Sequence, residues 1–238
     1  MSARRATAYE TVTAAVDVIR YLKERYNYRK LSSLLKIPQS TLTRYVRGET
    51  VPRLSHARRI LEWGQRYLRP EDLVREFVNG EDLDGFARIV TEPSVVRMLA
   101  GSAIEAFTGR RILGVLSIDH LALPIATAFA LLTGTKLFQL SEGPQWGRER
   151  SFPIFYRHEG EPSPKCLWCP TSVSEAGDGM LLMTLAVTHH APLSEVIKAL
   201  EERKVRVSGI YTLVAKRRVW NELRGPVACK KHAVLLLS

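Results

Sequence analysis

A chain of 238 residues has room for one large domain, or for a small domain joined to a medium one. Its longest apolar run, Leu121 to Leu132, is too short to cross a bilayer, and no apolar leader follows Arg4 and Arg5, so a cytoplasmic location is expected. The net charge is +11 and unevenly placed: residues 1–69 hold 15 Lys or Arg against 5 Asp or Glu, while the rest hold 20 against 19. Charge gathered in one segment is the footprint of a module that binds a polyanion, nucleic acid or an acidic membrane surface. The chain has only three Asn and four Gln, a depletion of thermolabile amides that leans towards a thermophilic source. Three cysteines are too few for a secreted disulfide framework.

The periodicity predicts a first helix over 9–26, with Val12, Ala15, Val16, Ile19, Leu22 and Tyr26 on one face. A short helix is expected over 28–36, with Leu31, Leu34 and Leu35 inward. Pro38 forbids continuing it through Ile37–Ser40. A third helix should run from Ser40 to Arg47 and stop at Gly48. A fourth is expected over His56–Trp63 with Ser55 as N-cap, and a fifth from Pro70 to a stop at Asn79–Gly80. From about residue 110 the pattern changes. Strands are expected at Ile112–Ile118, Lys136–Leu140, Met180–Val187, Val205–Val214 and Ala233–Leu237, and helices at Leu123–Leu132 and Leu193–Lys204. The Pro-, Gly- and Ser-rich stretch 143–178 reads as loops with short strands. Strand and helix in alternation predict a parallel α/β sheet.

The expected organisation is therefore a helical DNA-binding domain over 1–67, a helical linker over 68–94 and an α/β domain over 95–238. Within the first, LSSLLKIPQSTLTRYVRG (Leu31 to Gly48) has the form of two short helices around a tight turn, a form that lays the second helix in a DNA major groove. Its outer face would present Gln39, Ser40, Thr41, Thr43, Arg44 and Arg47, side chains able to bond base edges and phosphates, with Leu42 and either Tyr45 or Val46 inward. Arg29, Lys30, Lys36, Arg53, Arg58 and Arg59 fall around that face as phosphate contacts. The bland alternative is a solvated surface helix. The segment IPQSTLTRYVRGETVPRLSHARRIL resembles the recognition helix, following loop and fourth helix of the lambda-repressor-like helix-turn-helix family, over about residues 10–64.

In the α/β part, SIDHLALPIATAFALLTGTKL and MLLMTLAVTHHAPLSEVIKALEERKVRVSGIYTLVAK resemble, in order and spacing, the two ligand loops of the type I phosphoribosyltransferases over about 95–238. In that family the first loop is Gly-rich and holds pyrophosphate. The second has two adjacent acids that grip ribose hydroxyls, then a Thr-rich cradle holding a 5′-phosphate at a helix N-terminus. Here the acid pair falls on Thr184 and Leu185, the cradle on Thr188, His189, His190 and Ala191 before Pro192, and the first-loop glycines on Leu121 and Ala122. Leu185 accepts nothing from a ribose and Pro192 has no N–H, so phosphoribosyl transfer is expected to be lost and the chain not to be an enzyme. Thr188, His189 and His190, with Asp119 and His120 at a strand end, are either a site for a nucleotide or phosphoribosyl pyrophosphate effector or bland loop residues of a dimerisation scaffold.

A helix-turn-helix domain fused to a degenerate phosphoribosyltransferase-like domain resembles the bacterial purine repressor in plan and, more closely, a group of archaeal transcription regulators. That resemblance implies sequence-specific control of transcription by a homodimer on double-stranded DNA, often in nucleotide metabolism. The alternatives are an active phosphoribosyltransferase with a regulatory appendage and a non-specific DNA-architectural protein. Finally, Cys166, Cys169, Cys229 and His232 form two x2-spaced pairs that could make a zinc site if the fold joined them; buried thiols or a disulfide are the alternatives, and no cofactor is required.

Overall fold

The computed structural model describes residues 3–78, 85–144, 150–157, 162–226 and 229–238. The chain opens with a long helix, α1 (Ala3–Arg25), whose Ala15, Val18, Ile19 and Leu22 are buried at the helical spacing. Asn27 then caps α2 (Tyr28–Leu35), its side chain accepting from the Lys30 N–H at 2.9 Å. The chain turns through Lys36 in the left-handed region and Pro38 into α3 (Gln39–Arg47), which buries Leu42 and Tyr45. Gly48 closes α3 at φ 74°; a Cβ there would meet nothing within 4 Å, so glycine is required for conformation and not for space.

Helix α4 (Leu54–Tyr67) begins one residue before the expected cap, Ser55, and Arg53 occupies the N-cap without a side-chain bond. Tyr45 Oη lies 2.9 Å from His56 Nδ1, and Arg59 donates to the Lys36 carbonyl at 3.1 Å, so α4 holds both ends of the turn–α3 unit. Helices α5 (Pro70–Phe77) and α6 (Gly85–Thr91) follow; the expected stop at Asn79–Gly80 lies outside the described residues. Helix α7 (Pro93–Ala106) is not among the elements expected from the sequence, because its Pro93 start and Gly101–Ser102 resemble loop chemistry. Val95, Val96, Leu99, Ala100 and Ala103 form its buried stripe, while Gly101 and Glu105 are exposed.

The α/β region alternates as expected: β1 (Gly114–Ser117), α8 (Leu123–Thr133), β2 (Lys136–Gln139), an antiparallel pair β3 (Ser151–Tyr156) and β4 (Lys165–Pro170), then β5 (Met180–Val187), α9 (Leu193–Glu202), β6 (Val207–Lys216), α10 (Arg217–Glu222) and β7 (Lys230–Leu237). The main sheet has the order β2-β1-β5-β6-β7 and every pairing in it is parallel. Its strands are buried on both faces, which makes β5 a continuous apolar run apart from Thr184. One face, with Val115, Leu181, Met183 and Leu213, shares a core with α1–α8; the other, with Leu116, Leu182 and Ile210, packs on α9 and the β3–β4 pair. At Gly209 in β6 any Cβ would lie 2.3 Å from Phe107, so glycine lets the end of α7 rest on the sheet.

The basic helical region is thus not hung on a linker. Helix α7 lies between α1 and the sheet, and three polar ties reinforce the apolar packing. Arg97 of α7 donates two bonds to the Asp17 carboxylate of α1. Tyr21 and Arg25 of α1 both donate to Glu76 of α5, at 2.6 and 2.8 Å. Tyr211 of β6 donates to the Leu99 carbonyl at 3.0 Å. Asp17 is 1% exposed, and burial pushes its carboxyl above the ordinary range in spite of Arg97. Apolar burial drives this interface, at about 1.5–3 kcal/mol for each Ile19- or Leu99-sized side chain, while the ion pair fixes its register.

Removing Arg97 strands a buried charge. Arg97→Ala is expected to destabilise the fold by about 3 kcal/mol, the lower end for a broken buried pair because Arg97 keeps partial contact with solvent. The Asp17→Leu/Arg97→Met pair should cost much less, which urea unfolding of the three variants measures; equal losses for single and double variants would contradict a buried pair.

Candidate functional site

In the main sheet the chain moves outward from β1 to β2 on one side, then returns to β5 and continues to β6 and β7 on the other. The order therefore reverses between β1 and β5, and the carboxyl ends of these strands diverge to leave a crevice. The loops leaving them supply the polar groups. After β1, Asp119 turns back towards β5: Oδ1 accepts from the Ala122 N–H at 2.8 Å, while Oδ2 accepts from Thr184 Oγ1 at 2.7 Å and the Leu185 N–H at 3.0 Å. Ser117 Oγ, fully buried, donates to the Asp119 carbonyl at 2.8 Å. One aspartate thus ties the first loop to the second strand.

Beyond β5 the chain runs through Thr188, His189, His190, Ala191 and Pro192 into α9. The Ser194 N–H donates to the His190 carbonyl at 3.0 Å and the Val196 N–H to that of Pro192 at 3.0 Å, so the loop winds directly into the helix. Above the crevice a cavity of about 660 Å³ opens, within the range of small-molecule sites. Of the residues expected from the sequence, Asp119, His120, Thr188 and His189 line it. His190 does not: its Nε2 faces Glu222 of α10 at 3.1 Å, and that contact draws the ring out of the cavity. Thr188 Oγ1 lies 3.0 Å from His189 Nδ1. Leu121 and Leu185 stand in the lining where the resemblance implies glycine and acid, and Pro192 closes the loop.

Part of the lining was not foreseen. Phe86 of α6, Tyr156 of β3 and Leu167 of β4 also border the cavity, together with Gln139, Ser141 and Glu142.

Comparison with solved structures identifies the architecture. Adenine phosphoribosyltransferase from Rhodothermus marinus superposes with a TM-score of 0.57 at 14% identity, over 71% of this chain and 98% of that one. The adenine phosphoribosyltransferase of Thermoanaerobacter pseudethanolicus gives 0.55 at 10%, over 70% and 99%. That of Leishmania donovani gives 0.55 at 10%, over 71% and 81%. The α/β region has the phosphoribosyltransferase fold. No family model and no curated protein matches the sequence.

This comparison corrects one expectation. The missing acid pair and glycines led to the reading that the chain is not an enzyme, but the structures sharing the phosphoribosyltransferase fold are themselves adenine phosphoribosyltransferases. The crevice also keeps a carboxylate, Asp119, bonded across the position where the acid pair was sought. Asp119 is among the residues expected at a strand end, and it reaches that position from the loop after the neighbouring strand.

The cysteine pairs do not meet. Cys166 and Cys169 lie three apart on β4, and side chains at odd spacing on a strand point to opposite faces. Strand β4 stands at the β2 side, whereas His232 belongs to β7, and Cys229 immediately precedes it, at the other edge, about 19 Å of sheet away at the usual strand spacing. His232 instead stacks on Tyr211, with ring centroids 5.7 Å apart, and burial pushes the Cys229 thiol up to about 11. Among the described residues no group of three or more His, Cys, Asp or Glu could hold a metal ion.

On the helical region, Gln39, Ser40, Arg44 and Arg47 are exposed along α3, with Thr41 and Thr43 half-buried beside them. Thr43 Oγ1 donates to the Gln39 carbonyl at 2.9 Å. Arg29, Lys30, Lys36, Arg53, Arg58 and Arg59 are exposed around this face. Tyr45, not Val46, takes the inward position with Leu42. An acidic residue the sequence reading passed over, Glu49, lies 4.0 Å from Arg44 and 3.7 Å from Arg47.

Asp119 should carry the loop geometry. Asp119→Asn places an amide N–H₂ against either the Ala122 donor or the Thr184–Leu185 donors, and it is expected to cost about 1–3 kcal/mol. Chemical denaturation measures the loss; a variant as stable as the parent would show that these bonds do not hold the crevice.

Proposed function

We propose that this protein is a DNA-binding transcription regulator. In this reading, the α2–turn–α3 unit is a helix-turn-helix, and the phosphoribosyltransferase-like domain binds a phosphorylated ribosyl ligand such as a nucleotide or phosphoribosyl pyrophosphate. The observation that carries the reading is the outer face of α3. Gln39, Ser40, Arg44 and Arg47 stand in solvent on a nine-residue helix, flanked by cations on α2 and α4, in a segment with three times as many basic as acidic residues. A helix of this length fits a major groove, its arginines suit guanine edges or phosphates, and Gln39 suits adenine.

Glu49 sharpens the proposal. Its pairings with Arg44 and Arg47 are long and exposed, each worth at most about 1 kcal/mol, so DNA displaces them at little cost. Its charge disfavours indiscriminate phosphate contact, which favours sequence-specific binding over architectural coating. One recognition helix reads few base pairs, so a homodimer on a two-fold site completes the proposal.

Fluorescence anisotropy on a site selected from fragmented genomic DNA tests this reading. Affinity should fall steeply with salt, and Arg44→Ala and Arg47→Ala should each lose about 1–3 kcal/mol of specific binding. Unchanged affinity in both variants would remove α3 from the interface.

A second reading, phosphoribosyl transfer to a nucleobase with release of pyrophosphate, is favoured by the fold shared with adenine phosphoribosyltransferases and by the Asp119 carboxylate in the crevice. Incubation with phosphoribosyl pyrophosphate and each common nucleobase tests it: nucleotide and pyrophosphate should appear together, and Asp119→Ala should abolish both. Absence of product with every base would remove this reading.

A further inference from the structure

Past residue 69 the chain is nearly neutral, but its cations are not evenly spread. Residues 216–224, KRRVWNELR, hold four basic side chains and one acidic. Strand β6 ends at Lys216 and α10 begins at Arg217, so this run leaves the sheet at the end where the cavity opens. The register locates it further. Val187 pairs with Ala215, which sets Lys216 level with Thr188, the first residue of the loop that enters α9. The loop and α10 also touch, since His190 Nε2 meets Glu222 Oε2 at 3.1 Å while Arg218 Nε meets Glu222 Oε1 at 3.2 Å.

Arg217 and Arg218 are available to a ligand. The Arg218 side chain is 89% exposed, and its bond to Glu222 is an i, i+4 surface pair screened by solvent. Arg217 is exposed. Glu222 is held below the usual carboxylate range by bonds from His190 and Arg218, and as a single anion it offsets only one of the surrounding charges. Consecutive cations at a helix start repel each other and the helix dipole, a cost that a bound polyanion relieves.

We propose that the cavity takes a nucleoside 5′-di- or triphosphate. The first phosphate would lie against the Thr188–Leu193 loop, and the further phosphates would run onto Arg217 and Arg218. The inference rests on reading the cavity as a nucleotide site and adds the phosphate number to it. A ligand with a single phosphate would end at the loop and leave the α10 cations unused.

Isothermal titration of the full chain with AMP, ADP, ATP and inorganic tripolyphosphate, without divalent metal, tests the proposal. Affinity is expected to rise from AMP to ATP by at least about tenfold, the equivalent of one charge-assisted hydrogen bond. The Arg217→Ser/Arg218→Ser variant should lose that gain and keep its AMP affinity; both side chains are exposed, and thermal melting checks that the fold is intact. Equal affinity for AMP and ATP, or an ATP affinity untouched in the variant, would overturn the proposal. So would displacement of ATP by a short single-stranded oligonucleotide at equal phosphate concentration, which would make the rim a nucleic-acid surface. If no nucleotide binds but tripolyphosphate does, in a manner that needs both arginines, the nucleotide reading of the cavity falls while the phosphate rim stands.

Discussion

Strands β1 and β5 are neighbours in space but 63 residues apart in sequence, counting from Ser117 to Met180, and the sheet divides at their carboxyl ends. The Asp119 carboxylate spans that division. It has about four acceptor sites, and the Ala122, Thr184 and Leu185 donors occupy three of them. Without it, the buried Thr184 hydroxyl and the Leu185 N–H would face the crevice with no acceptor of comparable strength, and the two loops would have no common anchor. Structural support and a place in the cavity lining reside in one side chain, which is why the crevice keeps its shape although neither Thr184 nor Leu185 is acidic.

The sequence was most informative where one physical signal dominated. Pro38 and Gly48 bracket α3 through a forbidden helix interior and a left-handed stop, and both ends fall within a residue of the expectation. β5 was recognisable because a parallel strand covered on both faces must be apolar throughout. Helix α7 was hidden in spite of its buried stripe, because Gly101, Ser102 and the Pro93 start look like loop chemistry to a local reading. The zinc pairing failed because x2 spacing describes a tight turn, and residues 166–169 form a straight strand.

At the candidate site the loops could be placed from the order of strands and helices, while their occupants could not. His190 has the same local chemistry as His189, yet one lines the cavity and the other turns to Glu222, thirty-two residues away and on another element. Phe86 reaches the cavity from α6, ahead of the α/β region altogether. Tyr156 and Leu167 come from the β3–β4 pair, which reads as irregular because its strands are short and carry Pro153 and Pro170. These contacts depend on where elements cross, and no periodicity within a single element records that.

Phe86 also belongs to the layer that joins the cavity to the helical half of the molecule. The α5 and α6 helices lie between the cavity and α1: Phe86 stands in the cavity wall, and Glu76 holds Tyr21 and Arg25 at the carboxyl end of α1, immediately before α2. Arg25 further stacks on the Tyr21 ring at 3.6 Å, which limits how far either can move alone. Asp17 and Arg97 fasten α1 farther back, at its contact with α7. The first helix is therefore held at two points, one on the layer bordering the cavity and one on the helix resting on the sheet.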